Sequence, residues 1–228
     1  GIVTIWNELP GTLEEMEFVY SLFSKKGIPV KKYQKSEGNE FSFKQLSGRA
    51  PKLLHIATHG FFFPDATKNY DYWENILSFS QGNFQTRVSF SDHPLFRSGL
   101  LLSGANNAWK GHTYPNKEDG ILTAYEIAGL DLSTTELVIL SACDTGIGEL
   151  FPNAGVFGLR YAFKLAGVKK LLMSLWKIDD TSTVEFMKLF YSNYLNSNDV
   201  NQALRATQTE MINTNIPAYY WAGFILMN

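Results

Sequence analysis

Cysteine is almost absent: the 228 residues contain one, Cys143. No internal disulfide can form, and a single unpaired thiol points to a reducing, cytosolic compartment. Charge is sparse as well. Only 18% of the residues are charged and the net charge is -2, so no basic patch supports nucleic-acid binding. No apolar run approaches the roughly 18 residues of a membrane span, and no secretory signal stands at the start. Internal repeats and low-complexity segments are missing. His93 and His112 fall in loops without a cysteine partner, so no metal-ligand spacing appears, and nothing implies a cofactor. The chain begins at Gly1 rather than methionine, which leads us to expect a domain cut from a longer protein.

What is present is enough for a full core. The sequence is 45% hydrophobic and 14% aromatic, and its length suits one domain, taken here as residues 1–228. Short apolar runs alternate with helical patterns. Strands are expected at 2–6, at 28–33 near an edge because of Pro29, at 51–60, 98–104, 137–142, 168–175 and 219–227. A helix with Leu13, Met16, Val19, Tyr20 and Phe23 on one side is expected after the capping-box pattern Thr12-Leu-Glu-Glu15. Further helices are expected at 41–46, 121–128, 154–165, from Asp179-Asp180 to about 195, and at 199–213. Residues 61–96 and 106–120 read as loop. Strands alternating with helices predict an α/β fold with a central, mostly parallel sheet covered on both faces.

Two of the strands end in chemistry. Leu137-Val-Ile-Leu-Ser-Ala-Cys-Asp-Thr-Gly146 is a continuous apolar run that reaches Cys143, and Pro51-Lys-Leu-Leu-His-Ile-Ala-Thr-His-Gly60 reaches His59. In parallel sheets the binding crevice lies beyond the carboxyl ends of the strands. If the two strands are neighbours, an imidazole meets a thiol that it can deprotonate. The Gly60 and Cys143 N–H groups could then form an oxyanion hole, for acyl transfer to the thiol followed by hydrolysis. The same residues have plainer readings. A lone cysteine is often a small core residue, and a histidine at a strand end is often structural. Spacing alone does not decide between them. His55 shares a strand face with His59, and packing is its simpler role.

His55-Ile-Ala-Thr-His-Gly60, followed by Leu140-Ser-Ala-Cys-Asp-Thr-Gly146, resembles the CHAT domain, a bacterial branch of the caspase-like cysteine peptidases. Leu9-Pro-Gly-Thr-Leu-Glu-Glu15, Ser98 to Asn106, Asp119 to Ile127, Ala166-Gly167, Ser174 to Asp180 and Tyr219 to Phe224 resemble family segments in the same order. The likeness therefore covers nearly the whole chain. It implies a caspase-like α/β/α sandwich with a His59–Cys143 dyad: His59 as general base, Cys143 as nucleophile, and Gly60 with the Cys143 backbone holding the oxyanion. No third member, metal or cofactor is implied. Family members are often fused behind tandem helical repeats of the tetratricopeptide (TPR) type. Several act in bacterial signalling or antiviral defence, with a partner switching the protease on.

The resemblance also makes Trp176-Lys-Ile-Asp-Asp180 a pocket segment, with Trp176 as a wall and Asp179 receiving a basic side chain. Asp144, next to the nucleophile, could touch substrate. Each has a second reading: Trp176 as core, Asp144 as a turn residue, and Asp180 as a helix cap. The expected function is a cysteine endopeptidase acting on a protein substrate. A catalytically silent binding or regulatory module and a thioesterase are its rivals.

Overall fold

The computed structural model describes residues 6–62, 94–112, 118–141 and 154–228. Cys143, Asp144, His93, the segment at 2–5 and most of the long aromatic loop lie outside the described residues.

Chain order begins with α1 (Pro10–Lys25), α2 (Glu40–Lys44), β1 (Leu53–Ala57), β2 (His59–Phe62), β3 (Ser98–Leu101) and α3 (Ala105–Trp109). It continues through β4 (Ile121–Thr123), α4 (Ala124–Ala128), β5 (Leu137–Ser141), α5 (Ala154–Leu165), β6 (Leu171–Ser174), α6 (Asp180–Ser197), α7 (Val200–Asn213) and β7 (Phe224–Met227). The main sheet has the order β1-β5-β6-β7. β1, β5 and β6 run parallel, and β7 closes the sheet antiparallel. A smaller antiparallel sheet has the order β2-β3-β4.

β5 shows why this is a three-layer sandwich. All five of its residues are buried. Val138 and Leu140 join a core with Ile127 of α4 and Phe163 of α5. Leu137 and Ile139 join the opposite core with Phe23 of α1 and Phe186 and Phe190 of α6. A strand alternates its side chains between faces, so the unbroken apolar run Leu137 to Leu140 belongs between two helix layers. The expected α/β class, the mostly parallel sheet and the helices on both faces are all observed.

Local differences have physical causes. α1 starts at Pro10, whose missing N–H costs nothing at a first helical position. Its N-cap is Leu9, with no side-chain cap, so Thr12 and Glu15 form no capping box. Its buried face is Gly11, Glu15, Val19 and Phe23, whereas Leu13 is 53% exposed. Residues 28–33 form no strand. The 51–60 run divides at Thr58 into strands of two different sheets. The 121–128 segment is not one helix: three residues pair with β3, and then Thr123 and Glu126 form a capping box that starts α4. Within 106–120, α3 replaces the expected loop.

Lys44 joins three parts of the chain. Its ammonium lies 2.6 Å from Glu40, 3.0 Å from Glu118 and 2.9 Å from Glu126. Glu40 also accepts the Gly120 N–H at 3.0 Å. Gly120 sits at φ +83, and a Cβ there would stand 2.4 Å from the Ala105 nitrogen, so glycine is required. Burial, opposed by Lys44 and reinforced by the Glu126 charge, pushes the Glu40 carboxyl from 4.5 up to about 7. Between these values the folded state holds a proton that the unfolded chain has released. Raising pH through that window therefore weakens the fold. Glu40→Gln removes this dependence. The stability of the variant minus that of wild type should rise by on the order of 1–2 kcal/mol between pH 4.5 and pH 7, and then level off. Denaturant titration at several pH values measures it, and a pH-independent difference would contradict it.

Candidate functional site

The parallel pair β1–β5 sets the site. Ala57 lies opposite Ser141 in the last rung of the ladder. His59 comes two residues after Ala57, and Cys143 comes two residues after Ser141.

His59 opens β2 and pairs with Leu101. The neighbouring Thr58 hydroxyl donates to the Leu101 carbonyl, which secures the crossing between sheets. The His59 residue is only 9% exposed. Its ring packs against Trp6, with centroids 5.2 Å apart at 48°. Trp6 in turn meets Trp109 edge-on at 5.4 Å. The Trp6 backbone is clamped by one side chain: its N–H donates to Asn106 Oδ1, and its carbonyl accepts from Asn106 Nδ2, both at 3.0 Å.

This clamp presents the next carbonyl to the imidazole. Asn7 O lies 2.6 Å from His59 Nε2. A carbonyl oxygen only accepts, so Nε2 carries the hydrogen, and in the neutral ring Nδ1 holds the lone pair. Nδ1 is therefore the nitrogen able to take a proton. The N-terminal strap orients this ring through a backbone carbonyl, as a carboxylate orients the histidine of a Ser-His-Asp triad. Sequence reading did not name Trp6 or Asn7. The contact is made by a backbone carbonyl that any residue could provide, so residue type carries no signal for it. Gly60 follows in β2, buried and opposite Leu100.

The residues of the expected pocket segment lie beyond the end of β6. The Ser174 hydroxyl donates to the Trp176 carbonyl at 2.6 Å. Trp176 Nε1 donates to Tyr219 O at 2.8 Å, and Tyr219 OH donates back to Lys177 O at 2.7 Å. The Trp176 ring rests on Gly223, where a Cβ would stand 2.8 Å from it. Trp176 is thus half-buried and fixed, while Tyr219 is 56% exposed. Asp179 is exposed and caps α6 by accepting the Ser182 N–H at 3.0 Å. Slight burial opposes ionisation there, but the hydrogen bonds from Ser182 prevail and hold the carboxyl below its ordinary value. The cap is Asp179 rather than Asp180. Asp180 instead accepts the Gly11 N–H at 2.5 Å, joining the start of α6 to the start of α1.

A groove of about 800 Å³ runs from Trp6, Asn7 and His59 along β1 towards α1 and α2. Among the described residues, the acidic side chains close enough to share a cation are Glu40, Glu118 and Glu126, and the Lys44 ammonium already sits among them. Also among the described residues, no helix is long and apolar enough to cross a membrane.

A family model described as the CHAT domain matches residues 3–228. Tetratricopeptide repeat protein 28 of Mus musculus is 31% identical over 117 residues, covering 50% of this chain and 5% of that protein. Its Homo sapiens counterpart is 30% identical over the same length and shares. The chain thus spans about one twentieth of the length of the curated relatives it matches.

Proposed function

The chain belongs to the CHAT domain family, a caspase-like protease family, and from that premise we propose that it is a cysteine endopeptidase with a His59–Cys143 dyad. The observation that carries this reading is the orientation of His59 by the Asn7 carbonyl at the carboxyl end of β1. β1 stands in register with the strand that leads to Cys143. Two residues span at most about 7 Å, and paired strands lie about 4.8 Å apart, so thiol and imidazole start from adjacent strand ends.

In this mechanism His59 Nδ1 takes the Cys143 proton, and the thiolate attacks the scissile carbonyl carbon. The Gly60 and Cys143 N–H groups hold the oxyanion. Collapse breaks the C–N bond. The imidazolium gives its proton to the leaving amine, and a thioester remains on Cys143. Water, deprotonated by His59, then attacks the thioester; the acid product leaves and the thiol recovers its proton. Trp176 forms one wall of the pocket for the residue preceding the cut, Asp179 attracts a basic side chain there, and Asp144 touches substrate. No cofactor or metal enters these steps.

The relatives named as tetratricopeptide repeat proteins support an attached helical-repeat domain in the parent protein. Through that domain a partner or ligand would switch cleavage on, in bacterial signalling or antiviral defence. A reducing cytosol would keep the single thiol competent.

A peptide-like acyloxymethyl ketone tests the reading by intact-mass measurement. One adduct, absent from Cys143→Ser and formed at least roughly 100-fold more slowly by His59→Ala, is the expected result. No adduct, on protein whose cysteine still reacts with iodoacetamide, would make this a silent binding module. Turnover of acyl thioesters without cleavage of any peptide library would make it a thioesterase.

A further inference from the structure

A buried polar network joins four elements on the α1/α6 face of the sheet. Glu15 of α1 is only 2% exposed. One of its oxygens accepts the Ser141 hydroxyl of β5 at 2.9 Å. The other lies 3.0 Å from Nε2 of His55 on β1, a close approach rather than a well-aligned hydrogen bond. His55 Nδ1 lies 2.8 Å from the hydroxyl of Tyr191, a fully buried residue of α6.

A buried carboxylate must be partnered, and here its partners define a direction. Nε2 facing a carboxylate at this distance is favourable only if it bears the hydrogen. In the neutral ring, His55 Nδ1 then accepts from the Tyr191 hydroxyl. Burial, followed by the Glu15 charge, pushes the Tyr191 phenol well above its ordinary value, which keeps its proton in place for that bond. Ser141 and His55 thus reach Glu15 from the two strands of the β1–β5 pair. Ser141 stands in the last rung, two residues before Cys143; His55 stands four residues before His59.

We propose that Glu15, His55, Ser141 and Tyr191 form a positioning network that sets the direction in which β5 leaves the sheet, and so aligns Cys143 with His59. The proposal rests on the dyad reading above. α1 is its input. The strap before α1 holds the His59 ring through Asn7, and Glu15 within α1 holds the end of β5. One element thereby orients both partners of the dyad, and a shift of α1 misaligns them together. Rigid networks of this kind act by geometry: a misplacement of about 1 Å costs up to about 100-fold in rate.

Cys143 is the only cysteine, so the rate of iodoacetamide alkylation of the whole chain reports on this thiol without substrate. Ser141→Ala and Glu15→Gln should slow alkylation by about 10-fold or more. They should lower kcat similarly, with KM within about twofold and the near-UV circular dichroism retained. Ser141→Thr, which keeps the hydroxyl, should recover most of the rate. Ser141→Ala takes one donor from Glu15 but leaves His55 facing it, and it decides the matter if Glu15→Gln fails to fold. Folded Ser141→Ala that alkylates at the wild-type rate overturns the network. If His59→Ala is slowed in that same experiment, the dyad survives the loss of the network. If Ser141→Ala is slowed and His59→Ala is not, the network positions the thiol and the dyad reading falls instead.

Discussion

Cys143→Ala should leave no measurable peptide cleavage, and His59→Ala should lower kcat/KM by about 1,000- to 10,000-fold. The two losses differ in kind. Without sulfur no thioester can form, and no other residue of the proposed site is a nucleophile of comparable strength. Without the imidazole the thiol remains but must ionise unaided and lacks a donor for the leaving amine. Because both residues act in one step, the double variant should be no worse than Cys143→Ala alone. The comparison requires protein that is still folded. The His59 ring packs on Trp6, which in turn packs on Trp109, so His59→Gln, which keeps volume and a hydrogen-bond donor, serves as the matched control. Cleavage by Cys143→Ala at even a few per cent of the wild-type rate would refute a thiol mechanism. Peptide-bond cleavage profiles of wild type and variants, run side by side, give the measurement.

Phe186→Ala should destabilise the fold by about 4 kcal/mol, which for a chain of this size lowers Tm by roughly 10 °C. Phe186 is fully buried. Its ring stacks on Phe224 of β7 with centroids 3.7 Å apart at 13°, and lies 6.4 Å from Phe190. It therefore fastens the second helix layer to the antiparallel edge of the sheet. Alanine leaves a cavity between two elements that are not neighbours in sequence and cannot collapse independently. Phe186→Leu should cost less than half as much, because it refills most of the volume. A fall in Tm below about 3 °C for the alanine variant would mean that the layer is not packed through this ring. The Trp176 segment and the start of α6 rest on the same layer, so loss of the ring should also raise KM.

The strands that position the site were legible because their chemistry is local. Leu137 to Leu140 is apolar at every position, and only a doubly covered strand can use such a run. The neighbouring run to His59 was legible from its apolar centre, Leu53-Leu54 and Ile56-Ala57, although its division at Thr58 was not. A hydroxyl that reaches the Leu101 carbonyl across the sheet leaves no mark in hydropathy. The face of α1 was misjudged because its buried stripe contains Gly11 and Glu15. Apolar counting places Leu13 and Tyr20 inward instead, yet both are exposed. Glu15 is buried only because Ser141 and His55 arrive from distant parts of the chain to meet it. At 121–128 the signal was available: Thr123 and Glu126 have capping-box spacing, and they mark where extended chain becomes helix. For residues 28–33, Pro29 and the lysine pair resemble an edge strand, but strand formation also needs a partner to supply the hydrogen bonds.

The clamp on Trp6 gives the strap a mechanical property. Asn106 grips both polar groups of one peptide residue, and the very next carbonyl is the one that aims His59. Tension entering the chain at residue 6 is therefore resisted first by the amide of a single side chain, and once that grip slips the load falls on the imidazole. The grip of one asparagine thus guards the aim of one histidine.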